Sequence, residues 1–186
     1  MMIILASSSP RRREILGRFF EIKVYPANVE ERSTVKDSRE KSLDIARKKA
    51  LSVSSKFPGA TIVAADTMVI FRGKTLGKPR NAEEARKMLR ALSGNVHKVI
   101  TGYCIIHNGR IIEGVEETEV KFREIGDELL EWYISTGEWK DKAGAYGIQG
   151  YASIFVEWIK GDYYNVVGLP IKVVVELTKL GFKPKR

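Results

Sequence analysis

The chain has 186 residues, with 32 Lys and Arg against 23 Asp and Glu for a net charge of +9, 44% hydrophobic residues and 30% charged ones. That length and apolar content suit one globular domain over residues 1–186 and exclude collagen-like, disordered and disulfide-scaffold classes, the last because Cys104 is the only cysteine. No apolar run approaches the roughly 20 residues that cross a bilayer, and Met1 to Ala6 is too short for a signal-peptide core, so a cytoplasmic protein with no membrane partner is expected.

Apolar runs alternate with amphipathic stretches, which predicts α/β organisation. Ile3 to Ala6 reads as a buried strand, and Ser9 and Pro10 as the N-cap and first residue of a helix to about Phe19. Asp37 with Glu40 forms a capping box for a second helix through about Ser55, with Leu43, Ala46, Ala50 and Val53 on one face. Ala60 to Ala65 is strand-like and is expected to stop at Asp66 and Thr67. Asn81 with Glu84 opens a third helix, in which Ala85, Met88, Leu89 and Leu92 share a face, and Gly94 ends it.

Val96 to Ile106 and Ile111 to Phe122 flank Asn108 and Gly109, a strong hairpin signal. Asp127 to Thr136 reads as a helix stopped by Gly137. Glycines spaced three apart follow (GAYGIQG, Gly144 to Gly150), then a strand pair near Ala152 to Ile159 and Tyr163 to Val167 turning at Gly161. Pro170 and Gly181 bracket a last helix despite the β-branched Val173 to Val175. Trp132, Trp139 and Trp158 read as packing residues, and Cys104, in the apolar run Val99 to Ile106, as a core thiol.

Several positions break local rules. Arg11, Arg12 and Arg13 occupy the first turn of a helix, where cations oppose the macrodipole by about 0.3 to 1 kcal/mol each. Free N–H groups, the hydroxyls of Ser7 and Ser9 and guanidinium forks together suit a phosphate chain; the bland alternative is a solvated basic turn capped by Ser9. Asp66 ends an apolar run, and in open α/β sheets ligands bind beyond the carboxyl ends of strands. Taken alone it is equally compatible with a turn or cap residue.

Lys49 falls on the rim of the apolar helix face, where it could reach the same place as Asp66 or simply snorkel. Lys78 and Arg80 stand in the constrained turn Gly77 to Arg80, and Gln149, the only glutamine, stands among the glycines with a donor and an acceptor that suit a nucleobase edge. Nothing local separates Glu30 and Glu31 from a solvated charge pair. The glycine pattern is neither a P-loop nor a dinucleotide fingerprint, and His97 and His107 lack metal-ligand spacing.

The ordered set LASSSPRRREIL (Leu5 to Leu16), AADT (Ala64 to Thr67), GKPR (Gly77 to Arg80), LSG (Leu92 to Gly94), DKAGAYGIQG (Asp141 to Gly150) and GDYYNVVGLP (Gly161 to Pro170) resembles the Maf family of nucleoside triphosphate pyrophosphatases over nearly the whole chain. The resemblance implies a twisted mixed sheet flanked by helices, two lobes around a substrate cleft, and hydrolysis of a nucleoside triphosphate to the monophosphate and pyrophosphate with a divalent cation, Mg²⁺ or Mn²⁺. Carried over, Asp66 is the catalytic carboxylate, Arg11 and Arg12 bind phosphate, Lys49 and Lys78 are site lysines, and Glu31 is the acidic partner of Asp66 near the metal. The extended DKAGAYGIQG resembles the branch acting on dTTP and UTP, with Arg11, Thr67 and Gln149 tied to substrate choice. GEW (Gly137 to Trp139) departs from it, since many relatives carry Pro in place of Trp139. The resemblance also implies a homodimer with a nucleotide substrate and no stable nucleic-acid partner. A nucleotide-binding regulator without turnover, or a basic nucleic-acid-binding protein, are the alternatives. A salt-sensitive affinity would mark the latter.

Overall fold

The computed structural model describes all residues from Met1 to Arg186. Its elements in chain order are β1 (Ile3–Leu5), α1 (Pro10–Phe19), β2 (Ile22–Val24), α2 (Ser38–Ser54), β3 (Thr61–Phe71), β4 (Lys74–Leu76), α3 (Ala82–Leu92), β5 (Val96–His107), β6 (Arg110–Phe122), α4 (Asp127–Thr136), β7 (Val156–Lys160), α5 (Tyr163–Val167) and α6 (Ile171–Lys179). The seven strands form one mixed sheet in the order β2-β1-β3-β5-β6-β7, with β4 paired to β3. β1 is parallel to both β2 and β3, whereas β3 with β4 and β6 with β7 are antiparallel. No helix is long and apolar enough to cross a membrane.

Local chemistry starts the helices where the sequence predicts. The Ser9 hydroxyl accepts from the Arg12 N–H with Pro10 in the first turn, Asp37 accepts from the N–H groups of Arg39 and Glu40, and Asn81 accepts from that of Glu84. Asn108 and Gly109 both adopt positive φ, 47° and 76°, the pair of values a two-residue turn between β5 and β6 demands. α4 ends at Gly137 with φ 72°.

The chain divides into two compact units, and β3, β5 and β6 contribute residues to both. The first holds 1–67, 101–116 and 168–186. In its core, Ala46, Ala50 and Val53 of α2 pack on Ile4 and Ala6, on Ile62 and Ala64 of β3, and on Cys104 and Ile106 of β5. Gly102 permits this: a Cβ there would lie 2.5 Å from the Ser42 carbonyl carbon. The last residues belong to this unit too. Lys185 donates its backbone N–H to the Phe19 carbonyl and its ammonium to that of Gly17, which places a cation at the carboxyl end of α1.

The second unit holds 68–100 and 117–167. Its core is aromatic, with Phe122 against His97, Tyr146 and Phe155, and Tyr133 against Phe155.

Four expectations need correction. The strand does not stop at Ala65; β3 runs on through Asp66 to Phe71, because Met68, Val69 and Ile70 continue the buried run. Tyr151–Phe155 forms a 3₁₀ turn, so that the expected strand begins only at Val156, and Tyr163–Val167 is the helix α5, whose start is fixed by Asp162 accepting from the Tyr164 N–H. The three-residue strands β2 and β4 are additional to the predicted elements. Of the tryptophans only Trp139 is buried; Trp132 packs edge-on against Tyr151 at the surface, and Trp158 is exposed.

Candidate active site

The predicted residues of the first unit gather around the amino end of α1, the middle of β3 and one side of α2. Ser7 follows β1 and is buried; its hydroxyl accepts from the Ser9 N–H at 3.2 Å. Arg12 turns back from α1, and its guanidinium donates from Nε to the Gly168 carbonyl (2.7 Å), from Nη2 to Thr67 Oγ1 (2.9 Å) and from Nη1 to Ser7 Oγ (3.4 Å). Thr67 Oγ1 in turn lies 2.8 Å from the buried Thr101 hydroxyl. These contacts use three of the five N–H donors of a guanidinium and fix its plane. Burial pushes the Arg12 pKa down, Asp66 opposes that, and the neighbouring Arg11 adds to it.

Lys49 is the centre of the charged group. It is 7% exposed although it sits in a helix facing the sheet, and a buried ammonium requires partners. Its Nζ lies 2.7 Å from a Glu31 carboxylate oxygen and 3.6 Å from Asp66 Oδ1. Glu31 is exposed yet paired; it reaches Lys49 from the segment before α2. Asp66 is 8% exposed, and desolvation raises its pKa, with Lys49 and Arg12 pulling it back and Glu31 adding to the rise. A carboxylate whose pKa is raised by desolvation is a stronger proton acceptor than a solvated one.

Asp66 and Thr67 therefore stand in mid-strand, where alternation sends adjacent side chains to opposite faces. The expectation of a strand-end carboxylate fails on position while Asp66 itself joins Lys49 and Glu31. Asp66 and Glu31, both paired with Lys49, are the residues that could hold a cation, and no third carboxylate, His or Cys is grouped with them. Two carboxylates leave most positions of a hard cation such as Mg²⁺ to water and to phosphate oxygens, which is how that ion ordinarily binds with a nucleotide.

Lys78 and Gln149 belong to the second unit. Lys78 is exposed in the turn before α3, and Gln149 is exposed at the end of a loop buried from Gly144 to Ile148. The Gly144 N–H donates to the Gly77 carbonyl at 3.1 Å, which ties the lysine turn to the glutamine loop. Gly144 adopts φ 70° with Val69 beneath it, so a side chain would be strained by its backbone and crowded by that valine. Arg80, the other cation of the turn, is committed to Glu84.

Thr101, Gly168 and Glu138 escape sequence reasoning. A threonine inside VITGYCII gives no local sign that its hydroxyl meets Thr67, and Gly168 contributes only a carbonyl. Glu138 lies in the stretch GEW, where the sequence differs from the pattern it resembles.

Comparison with known proteins now bears on this arrangement. The family described as Maf-like protein matches residues 2–180. A dTTP/UTP pyrophosphatase of Pyrococcus abyssi is 72% identical over 184 residues, covering 99% of this chain and 98% of the relative. One from Pyrococcus furiosus is 63% identical over 185 residues, covering 99% and 97%. One from Fusobacterium nucleatum is 48% identical over 185 residues, covering 97% and 96%.

Proposed function

The chain belongs to the family of Maf-like proteins, and on that premise we propose that it is a dTTP/UTP pyrophosphatase, which hydrolyses these nucleotides to the monophosphate and pyrophosphate. The observation that carries the reading is the grouping of Asp66, Lys49, Glu31 and Arg12, with Asp66 and Lys49 buried and Glu31 reaching Lys49 from the surface, in a chain 72% identical to a protein of that activity.

In the proposed reaction a water oxygen attacks the α-phosphorus, the bond from that phosphorus to the α,β-bridging oxygen breaks, and pyrophosphate leaves. Asp66 takes the proton of the water: Oδ1 is directed at Lys49, and Oδ2 is left for the proton. Arg12, with two N–H donors beyond its internal contacts, binds the phosphate chain together with Arg11. Ser7 and Ser9 shape the amino end of α1 into which that chain fits. Lys49 and Lys78 neutralise charge that grows on the leaving pyrophosphate. Glu31 and Asp66 are the residues that would hold a divalent cation, Mg²⁺ or Mn²⁺, whose chemistry is Lewis-acid polarisation of a phosphoryl oxygen. Gln149, Thr67 and Arg11 choose the base, with the amide of Gln149 suited to the donor and acceptor edge of a uracil-like ring. The reading extends to a cytoplasmic homodimer that clears non-standard pyrimidine nucleotides or restrains division by lowering a nucleotide pool.

The test is pyrophosphate release from dTTP, UTP, CTP, GTP and ATP with Mg²⁺, Mn²⁺ or EDTA, beside Asp66→Asn. Release confined to dTTP and UTP, abolished by EDTA and in the folded variant, is the expected result. Nucleotide binding without release would turn the same residues into a sensor's recognition site and defeat the reading.

A further inference from the structure

The loop that ends in Gln149 is held by three side chains from outside it. Tyr133 of α4 donates its hydroxyl to the Ala145 carbonyl (3.1 Å), and His97 of β5 meets the Tyr146 hydroxyl through Nε2 (2.5 Å). The third anchor stands next to Gln149 itself. Glu138, just past the end of α4, accepts from the Tyr151 N–H at Oε1 (2.8 Å) and from the Ala152 N–H at Oε2 (3.1 Å).

Gly150 fits around that carboxylate. A Cβ built on Gly150 would overlap Oε1 and lie 2.5 Å from the Glu138 Cδ. The backbone of Gly150 has φ −99°, so its conformation does not call for glycine. The carboxylate explains the residue. Glu138 is itself fixed at its backbone, with its N–H donating to Thr136 Oγ1 (3.2 Å) and its carbonyl accepting from Lys142 Nζ (2.7 Å).

We propose that Glu138 is a positioning residue for base recognition: its carboxylate fills the space above Gly150 and holds the two N–H groups that follow, and so fixes the backbone from which the Gln149 amide is presented. The inference rests on the reading that Gln149 meets the base. Removing the carboxylate leaves two N–H groups without their charged acceptor and opens room at Gly150, so Gln149 samples more positions. No residue that would cleave the phosphate bond makes these contacts. The loss therefore falls on the binding of the correct base more than on the chemical step.

The experiment measures kcat and KM for dTTP and GTP in Glu138→Ala, Glu138→Gln, Gly150→Ala, the Glu138→Ala/Gly150→Ala pair and Gln149→Ala, with thermal melts of each. Expected for Glu138→Ala is a rise of about tenfold or more in KM for dTTP, kcat within about threefold, and a smaller dTTP:GTP preference in kcat/KM. Gly150→Ala, which drives the carboxylate away, should reproduce that, and the pair should be no worse than Glu138→Ala alone because the clash is gone. Glu138→Gln keeps one acceptor and should fall between. Additive losses in the pair, or a fall in kcat/KM equal for both nucleotides, would overturn the proposal and leave Glu138 a folding residue. Should Gln149→Ala reduce the preference while Glu138→Ala does not, this inference alone fails. If Gln149→Ala itself leaves the preference unchanged, the reading of Gln149 fails and the inference falls with it.

Discussion

Gly102→Ala tests whether the place of Lys49 is set by how closely α2 approaches β5. The added Cβ would lie 2.5 Å from the carbonyl carbon and 2.6 Å from the oxygen of Ser42, where ordinary contact begins at 3.4 Å. The obstacle is helix backbone next to a fully buried residue, so no side-chain rotation relieves it. The helix has to withdraw by roughly 1 Å, and overpacking of this kind costs about 1–3 kcal/mol. At about 2–4 °C per kcal/mol for a chain of this size, calorimetry should show a fall in Tm of roughly 2–12 °C. Lys49 lies two turns further along the same helix, with Nζ 2.7 Å from Glu31 and 3.6 Å from Asp66. A displacement of that size at a catalytic group costs on the order of 100-fold in rate, so kcat for dTTP should fall well beyond what the lost stability explains. A variant with unchanged Tm and kcat would refute the packing argument. A lowered Tm with wild-type kcat would refute the link from the helix to Lys49.

Two predictions concern pH. Burial raises the pKa of Asp66, and a general base works only when ionised, so kcat/KM should rise with pH along an acid limb placed above the ordinary carboxylate range. Lys49 pulls that pKa down, so the residual activity of Lys49→Met should show the limb displaced further upward; an unmoved limb counts against Asp66 as the base. His97 is buried and its pKa is lowered by desolvation to about 4 from 6.5. The unfolded chain gains a proton below pH 6.5 that the folded protein refuses until about pH 4, so this stability is complete above 6.5 and is lost as pH falls toward 4. Over that window the loss reaches about 3 kcal/mol. Urea unfolding of the wild type and His97→Asn at pH 7 and pH 4.5 isolates it; parallel losses in the two proteins would remove His97 as the cause.

Elements whose determinants lie within a few residues are legible in the sequence. Ser9, Asp37 and Asn81 cap helices by contacts two or three residues away, and Asn108 and Gly109 form their turn without outside help. Tyr163–Val167 misleads because aromatic and β-branched residues suit a strand, while the fold fixes it as a helix through Asn165, buried and donating to the Val99 carbonyl and Thr118 Oγ1. The reach of β3 is hidden for a similar reason. A carboxylate inside a strand looks like an ending unless the lysine and arginine that accompany it are known, and those come from α2 and α1. The same distance in sequence divides the site. Arg12, Lys49 and Asp66 stand out because each violates a local rule, whereas Thr101, Gly168 and Glu138 violate none and act only through partners outside their own segment.

The charge balance of the cluster gives a reason for the cation that the family resemblance implies. Asp66 and Glu31 contribute two negative charges, and Lys49 and Arg12 two positive ones, so the resting group is close to neutral and each member has an internal partner or neighbour of opposite sign. A triphosphate brings several negative charges into this setting. Drawing Lys49 toward the phosphate chain would weaken its pairing with Glu31 and Asp66, and the buried Asp66 would then need another cation. Asp66 and Glu31 are the residues that would then hold a divalent cation, whose charge would offset part of the triphosphate's. On this account Lys49 is a lysine and not an arginine because the position requires a compact cation on a flexible stem that can exchange partners. A cation held there would favour the binding of the nucleotide and the nucleotide that of the cation, each offsetting the charge the other brings.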